Sequence, residues 1–318
     1  MKKWNSEQFN GVWSATPTPF DKNLNIDIPS IKRMVEHHLR LGVKGLFLCG
    51  TCGEGPWLTD SQRKKMIQET VRAVRGRIPV AVQVTDNSSP RIIENMKMAA
   101  EAGADIAVIA PPYFLFNATP HNILSLYRQA IRRSPLPVGI YDRGRFGTVL
   151  VPDNILGAIY AEPKVILIKD SSTDENRMKI AIKARAKRPK LKLLNGNEFN
   201  CVAYIKAGYD GLLLGGGIFN GYIANMIIKA VQGGDTQKAE QLQKRMNKMM
   251  WAVYGGKKIK AWLTGLKELL VRMGIFNTNR NYLNYPLSSV TSKAIDKILK
   301  KEKDILLPKF YGNTSLPY

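Results

Sequence analysis

Cysteine and histidine are scarce in this chain, three of each among 318 residues. The thiols are Cys49, Cys52 and Cys201. An odd, sparse count argues against a disulfide framework and fits a reducing compartment. Cys49-Gly50-Thr51-Cys52 matches the C-x-x-C spacing of redox pairs. No second pair follows, as a structural zinc site would need, and the chain is much longer than a thioredoxin-like unit. His37, His38 and His121 stand in no metal-ligand spacing, so a surface or core role is expected for each.

Long apolar runs are missing too. The longest, Gly211 to Phe219, is too short to span a bilayer. The opening MKKWNSEQFN has lysines but no apolar stretch behind them, so no secretory signal is expected. The expectation is a soluble, cytoplasmic protein with no membrane partner. Acidic residues are few: 25 Asp and Glu face 48 Lys and Arg, a formal charge of +23. Clusters such as Arg72-Arg75-Arg77, Arg185-Lys187-Arg188 and Lys297-Lys300-Lys301-Lys303 lack the interleaved aromatics of a base-stacking platform. No zinc-finger, RNA-recognition or phosphate-loop pattern accompanies them, so nucleic acid is not an expected partner. A solvated basic surface, or steering of anionic substrates, accounts for the excess.

What is present is a rhythm. Short apolar runs alternate with amphipathic stretches from about Gly11 to Gly233. Expected strands are Val12–Pro17, Gly45–Cys49, Pro79–Val84, Ile106–Ile109, Val138–Tyr141, Val165–Lys169, Leu191–Leu194 and Gly211–Leu214. Each precedes an expected helix: Ile28–Arg40, Asp60–Arg75, Pro90–Ala102, His121–Arg133, Pro152–Tyr160, Glu175–Lys187, Phe199–Ala207 and Tyr222–Gly233. The strands are apolar throughout rather than alternating, as parallel strands covered on both faces must be. Eight such units close a barrel, whereas a doubly wound sheet more often has five or six strands. The expected fold is therefore an α/β (β/α)₈ barrel over residues 9–233. A helical extension over 234–310 follows, with helices expected at Thr236–Val253, Ile259–Arg272 and Ser288–Leu299. It has no strands and too little apolar sequence to build a core of its own. The tail Gly312–Tyr318 reads as loose.

In such a barrel chemistry sits at the C-terminal ends of strands. Lys169 follows Val165-Ile166-Leu167-Ile168, so its amine emerges from an apolar wall. Burial disfavours the charged ammonium, and a neutral amine is a nucleophile towards ketones. A strand-end lysine can equally reach solvent or pair with Asp170. Tyr141, ending the preceding strand, is placed to pass protons, or else to pack as a core aromatic. The loop Gly50-Thr51-Cys52-Gly53 offers backbone N–H groups and a hydroxyl suited to a carboxylate. The remaining strand ends carry Pro111-Pro112-Tyr113-Phe114, Asp142-Arg143-Gly144-Arg145, Asn195-Gly196-Asn197-Glu198 and Gly215-Gly216-Gly217.

Thr16-Pro17 to Phe20, Gly50 to Glu54, Leu58-Thr59, Pro111 to Tyr113, Tyr141, Ile168 to Ser172 and Asn195-Gly196 together resemble the dihydrodipicolinate synthase / N-acetylneuraminate lyase family. The resemblance runs along about 290 residues. It implies class I aldolase chemistry with neither metal nor organic cofactor. Lys169 would form a Schiff base with pyruvate, or with a 2-keto acid that yields it, and Tyr141 would be the acid/base. Thr51, with Cys52 and Gly53, would hold the pyruvyl carboxylate, and Gly215 and Gly216 would line the same end. The resemblance also implies a homo-oligomer, tetramer or dimer.

Three positions depart from the family's synthases. Cys52 replaces a second hydroxyl residue, Phe114 stands where a proton-relaying tyrosine is usual, and Asp142-Arg143-Gly144 replaces Asn-x-Pro. These departures favour a lyase or dehydratase acting on a 2-keto-3-deoxy sugar acid. In that reading Asp142 accepts from a substrate hydroxyl and Arg143 or Arg145 holds a distal carboxylate. A loop-internal ion pair between Asp142 and Arg143 is the other reading of those residues. The alternatives for function are a synthase condensing pyruvate with aspartate semialdehyde, and a non-catalytic keto-acid-binding homologue.

Overall fold

Runs of β-branched and aliphatic residues with no polar alternation favour strands buried on both faces. The computed structural model, which describes residues 4–308, contains eight of them. They are β1 (Gly11–Ala15), β2 (Gly45–Leu48), β3 (Val80–Gln83), β4 (Ile106–Ile109), β5 (Val138–Asp142), β6 (Val165–Asp170), β7 (Lys192–Asn195) and β8 (Gly211–Leu214). All neighbours are parallel, and β8 returns to β1 in the register Gly11↔Gly211 to Ser14↔Leu214, closing the barrel. This is the expected (β/α)₈ barrel.

The surrounding helices are α1 (Ile28–Arg40), α2 (Asp60–Val74), α3 (Ser89–Glu101), α4 (Pro120–Arg133), α5 (Asp153–Tyr160), α6 (Glu175–Lys187), α7 (Cys201–Lys206) and α8 (Gly217–Gln232). Several begin at side-chain caps that satisfy otherwise unpaired N–H groups: Asp27 for α1, Thr59 with Gln62 for α2, and Asp174 for α6. His37 and His38 are buried, as a core role requires, and His38 bridges Met34 O and Ser14 Oγ at 2.8 and 2.9 Å.

α8 starts five residues earlier than its sequence pattern suggests. Gly217 and Gly221 read locally as loop, but Ile218, Phe219 and Asn220 are buried there, so packing overrides the low helix propensity of glycine. The C-terminal helices are α9 (Thr236–Tyr254), α10 (Trp262–Arg272), α11 (Ser289–Lys301) and the short α12 (Lys303–Leu306). α10 begins at Trp262 rather than Ile259, because Ile259 has a left-handed φ of 51° that a helix cannot contain. α9 packs on α8, α10 and α11, and α12 rests on α8. Four residues are too few for periodicity to reveal α12. The last two residues of the expected extension, and the tail Gly312–Tyr318, lie outside the described residues. Among the described residues no helix is long and apolar enough to cross a membrane.

Candidate active site

Side chains alternate along a strand, so one residue points into the barrel and the next towards the helices. In the β5–β6 ladder Tyr141 pairs with Lys169 and Asp142 with Asp170. The first pair faces the barrel interior and the second turns outward. Lys169 is 5% exposed, and its Nζ lies 4.0 Å from the centre of the Tyr141 ring and 4.8 Å from that of Phe47. The two rings meet edge to face, with centroids 6.0 Å apart. Among the described residues no carboxylate lies within ion-pair distance of Lys169. The lysine neither snorkels nor pairs with Asp170, whose carboxylate instead accepts bonds from Ser172 N (2.9 Å), Ser172 Oγ (2.7 Å) and Tyr209 Oη (2.6 Å).

The Tyr141 hydroxyl is within hydrogen-bond reach of Ser171 and Thr51. Burial favours its neutral form. The Lys169 ammonium, the Arg143 guanidinium and those two hydroxyls outweigh burial, so the phenol titrates below its ordinary value. A tyrosine so placed can hold or release a proton directly beside the amine.

The β2–α2 loop comes to the same place under tight constraint. Thr16 N donates to Phe47 O (3.0 Å), and Thr18 Oγ1 donates to Gly53 O (2.6 Å). Any Cβ at Gly53 would come within 2.9 Å of Cys49 N and Thr16 O, so only glycine lets β1 and this loop approach so closely. Cys52 is buried and its thiol donates to Gly215 O (3.4 Å), joining the β2 loop to the end of β8. Burial, reinforced by nearby Glu198, pushes the Cys52 thiol up to about 12. Gly196, after β7, abuts Lys169: a Cβ there would stand 3.0 Å from Lys169 Cε and 1.9 Å from Ser171 Oγ.

Lys169, Tyr141, Thr51, Cys52, Gly53, Gly215 and Gly216 thus meet at one end of the barrel, as the strand-end argument expects. Arg143 joins them, half-buried with its guanidinium 5.9 Å from the Tyr141 ring centre. Arg145 does not; it is exposed and stacks on Phe146 at 5.1 Å.

Asp142 requires a correction. Its carboxylate is turned away from the barrel interior and accepts Arg177 Nε (3.0 and 3.1 Å), Arg177 Nη2 (2.9 Å), Tyr160 Oη (3.0 Å) and Gly144 N (2.9 Å). Its acceptor sites are filled, so it has none to offer a substrate hydroxyl. Its ionic partner is Arg177 of α6 rather than Arg143. The reason is strand alternation, which sends Asp142 to the face opposite Tyr141.

Glu198, which the sequence placed after the seventh strand without assigning it a role, is also held at this end of the barrel. Its carboxylate accepts Gly216 N (2.7 Å) and Tyr254 Oη (2.9 Å), with the Asn220 side chain also in contact. Burial raises its pKa, which those donors and Lys169 oppose. An acidic residue two positions after Gly196, in the segment that follows β7, was the available signal. Its partner Tyr254 comes from α9, far along the chain.

The C-x-x-C pair makes no disulfide; Cys49, Cys52 and Cys201 are all free and buried. Among the described residues no group of three or more His, Cys, Asp or Glu side chains could hold a metal ion. A cleft of about 600 Å³ opens at the opposite end of the barrel, beside Trp4, Lys44, Arg77 and Tyr222. That is the end where barrels build stability rather than chemistry, and its Arg77 is committed to Glu36 at 2.5 and 3.0 Å.

Comparison with known proteins agrees with this fold. The model of the dihydrodipicolinate synthetase family matches residues 8–304. A 4-hydroxy-tetrahydrodipicolinate synthase of Kosmotoga olearia is 31% identical over 250 residues, covering 77% of this chain and 83% of that protein. Among solved structures, a monomeric dihydrodipicolinate synthase variant has a TM-score of 0.84 at 25% identity, covering 94% of this chain and 98% of its own. The dihydrodipicolinate synthase of Bacteroides thetaiotaomicron has a TM-score of 0.82 at 26% identity, covering 92% and 98%. With the same barrel as those structures and a family match over almost the whole chain, this protein belongs to the dihydrodipicolinate synthetase family, whose members are pyruvate-dependent class I lyases.

Proposed function

We propose that Lys169 forms a Schiff base with pyruvate and that the resulting enamine condenses with aspartate semialdehyde. The observation that carries the first half is the buried Lys169 amine, with no carboxylate in ion-pair distance among the described residues, facing the Tyr141 phenol across the β5–β6 ladder. Its nitrogen attacks the ketone carbon, the carbonyl oxygen leaves as water, and the protonated imine draws electrons from the adjacent methyl carbon. Loss of a methyl proton gives the enamine, whose carbon attacks the aldehyde. Tyr141 moves the protons of these steps. Thr51 and the backbone of Cys52 and Gly53 hold the pyruvyl carboxylate, with Gly215 and Gly216 lining that end of the pocket.

For the second substrate, two observations turn the balance from a sugar acid to aspartate semialdehyde. Curated relatives at 31% and 26% identity are 4-hydroxy-tetrahydrodipicolinate synthases. Asp142, on which recognition of sugar hydroxyls depended, is committed to Arg177 and Tyr160. Arg143 remains to meet the carboxylate of the second substrate. The same reading includes a homo-oligomer, with the exposed Phe114, Phe116, Phe146 and Leu150 around the barrel mouth as its contact.

Borohydride reduction with pyruvate, followed by peptide mass mapping, tests the first half. A reduced adduct on Lys169 that is lost in Lys169→Ala is expected. Its absence from folded wild-type protein would leave the keto-acid-binding reading, as would pyruvate binding without exchange of the methyl protons. Product formation from pyruvate and aspartate semialdehyde tests the second half. Turnover only with sugar-derived 2-keto acids would restore the sugar-acid reading.

A further inference from the structure

The carboxylate cradle is held from the far end of the chain. Glu54 closes the β2 loop in a left-handed conformation, φ 58°, and its N–H donates to Thr51 O (3.2 Å). Its side chain is completely buried and pairs with the equally buried Nζ of Lys267 on α10. The same carboxylate accepts Tyr282 N (2.6 Å), and Lys267 also donates to Arg280 O (2.8 Å) and lies 4.6 Å from the centre of the Phe20 ring.

The segment 275–284, which follows α10, is tied across the mouths of β1 and β2. Thr278 Oγ1 donates to Phe20 O (2.7 Å), Asn277 Nδ2 to Asp27 Oδ2 (2.8 Å) and Tyr282 Oη to Gln62 Oε1 (3.0 Å), while Arg33 Nε donates to Ile275 O (2.9 Å). A strap from beyond the barrel therefore fixes both walls of the loop that carries Thr51, Cys52 and Gly53.

Burying two charges is costly, and apolar residues of the same volume often serve stability as well or better. A geometric and electrostatic duty at this place gives the pair a reason to be ionic. We propose that Lys267, with the strap 275–284, positions the Thr51–Gly53 cradle for the keto-acid carboxylate and cancels the Glu54 charge directly behind it. Displacing donors by about 1 Å is enough to lose substantial binding and rate. An uncompensated Glu54 would in addition repel an anionic substrate across a low-dielectric gap. The substrate part of this proposal rests on the pyruvate reading above; the positioning part stands on the loop alone.

Three variants and two measurements test it. Lys267→Met leaves Glu54 unpaired and is expected to raise the pyruvate concentration for half-maximal borohydride trapping by about 10-fold or more. Glu54→Gln with Lys267→Met removes both charges; it is expected to recover the thermal stability lost by the single variant yet keep part of the binding defect. In both, amide hydrogen exchange over residues 50–58 is expected to quicken by about 10-fold while the barrel strands stay protected. Thr278→Ala, which touches neither charge, is expected to give the same effects more weakly and serves where the others fail to fold. A folded double variant, or a folded Thr278→Ala, with wild-type trapping and wild-type exchange overturns the proposal. If wild-type protein traps no pyruvate, the pyruvate reading falls, and the exchange measurement still decides the positioning role.

Discussion

Lys169 and Tyr141 face each other across the β5–β6 ladder, with the lysine Nζ 4.0 Å from the centre of the phenol ring. The ring face offers the ammonium an electrostatic partner that leaves no counter-charge to be displaced when the amine reacts. A carboxylate in the same place would hold the proton on the amine.

Removing only the hydroxyl separates stacking from proton transfer. Tyr141→Phe keeps the ring beside Lys169, so pyruvate is still trapped, but kcat is expected to fall by about 10²–10⁴-fold. Stopped-flow turnover measured alongside mass mapping checks both halves. Because Arg143 helps to hold the Tyr141 phenol below its ordinary value of 10.0, Arg143→Ala is expected to move the alkaline limb of the pH–rate profile upward.

Gly196→Ala puts a methyl group where Ser171 Oγ and Lys169 Cε already lie, at 1.9 and 3.0 Å. The serine hydroxyl can swing away, but doing so takes it from Tyr141. Circular dichroism is expected to remain native while turnover drops by about 10-fold or more. A fully active variant would show that Ser171 has room to spare.

Arg177 and Asp142 have side chains only 4% and 2% exposed. Arg177→Met leaves Asp142 buried without its cation, and a loss of about 3–5 kcal/mol is expected in urea unfolding at unchanged m-value. Adding Asp142→Asn is expected to return part of that loss. Purely additive effects of the two substitutions would argue against a coupled pair.

His37 and His38 are held neutral by burial, with pKa values pushed down from 6.5 to about 4 and about 3. Below pH 6.5 the unfolded chain takes up these protons and the folded chain does not, so stability falls as pH falls from 6.5 towards 4. Each histidine contributes on the order of 1 kcal/mol per pH unit across that window. Replacement by His38→Gln is expected to flatten the slope, and unfolding curves at successive pH values would reveal it.

The thiols are expected to be inert in the folded protein. Burial pushes both Cys49 and Cys52 up to about 12, so the reactive thiolate is rare at neutral pH. Alkylation at pH 8, read by mass spectrometry, is expected to label them only after unfolding. Rapid labelling of Cys52 in native protein would revive the redox reading of the C-x-x-C spacing.

The barrel was legible in the sequence because its causes are local. Each strand is a short apolar run, each helix an amphipathic one, and eight repetitions leave closure as the packing that covers every strand on both faces. Lys169 and Tyr141 were legible for a related reason: a polar residue at the end of an apolar strand is placed by chain direction alone. The direction of Asp142 depended on strand alternation relative to Tyr141 and on an arginine 35 residues away, so the sequence left its role open. The choice between Arg143 and Arg145 depended on how the loop after β5 turns. Glu54 and Lys267 lie 213 positions apart, and no local pattern couples them. Periodicity and strand ends are decided by neighbours along the chain; the partners of buried charges are decided by whatever the closed barrel brings within hydrogen-bond distance. Only the tertiary structure specifies that.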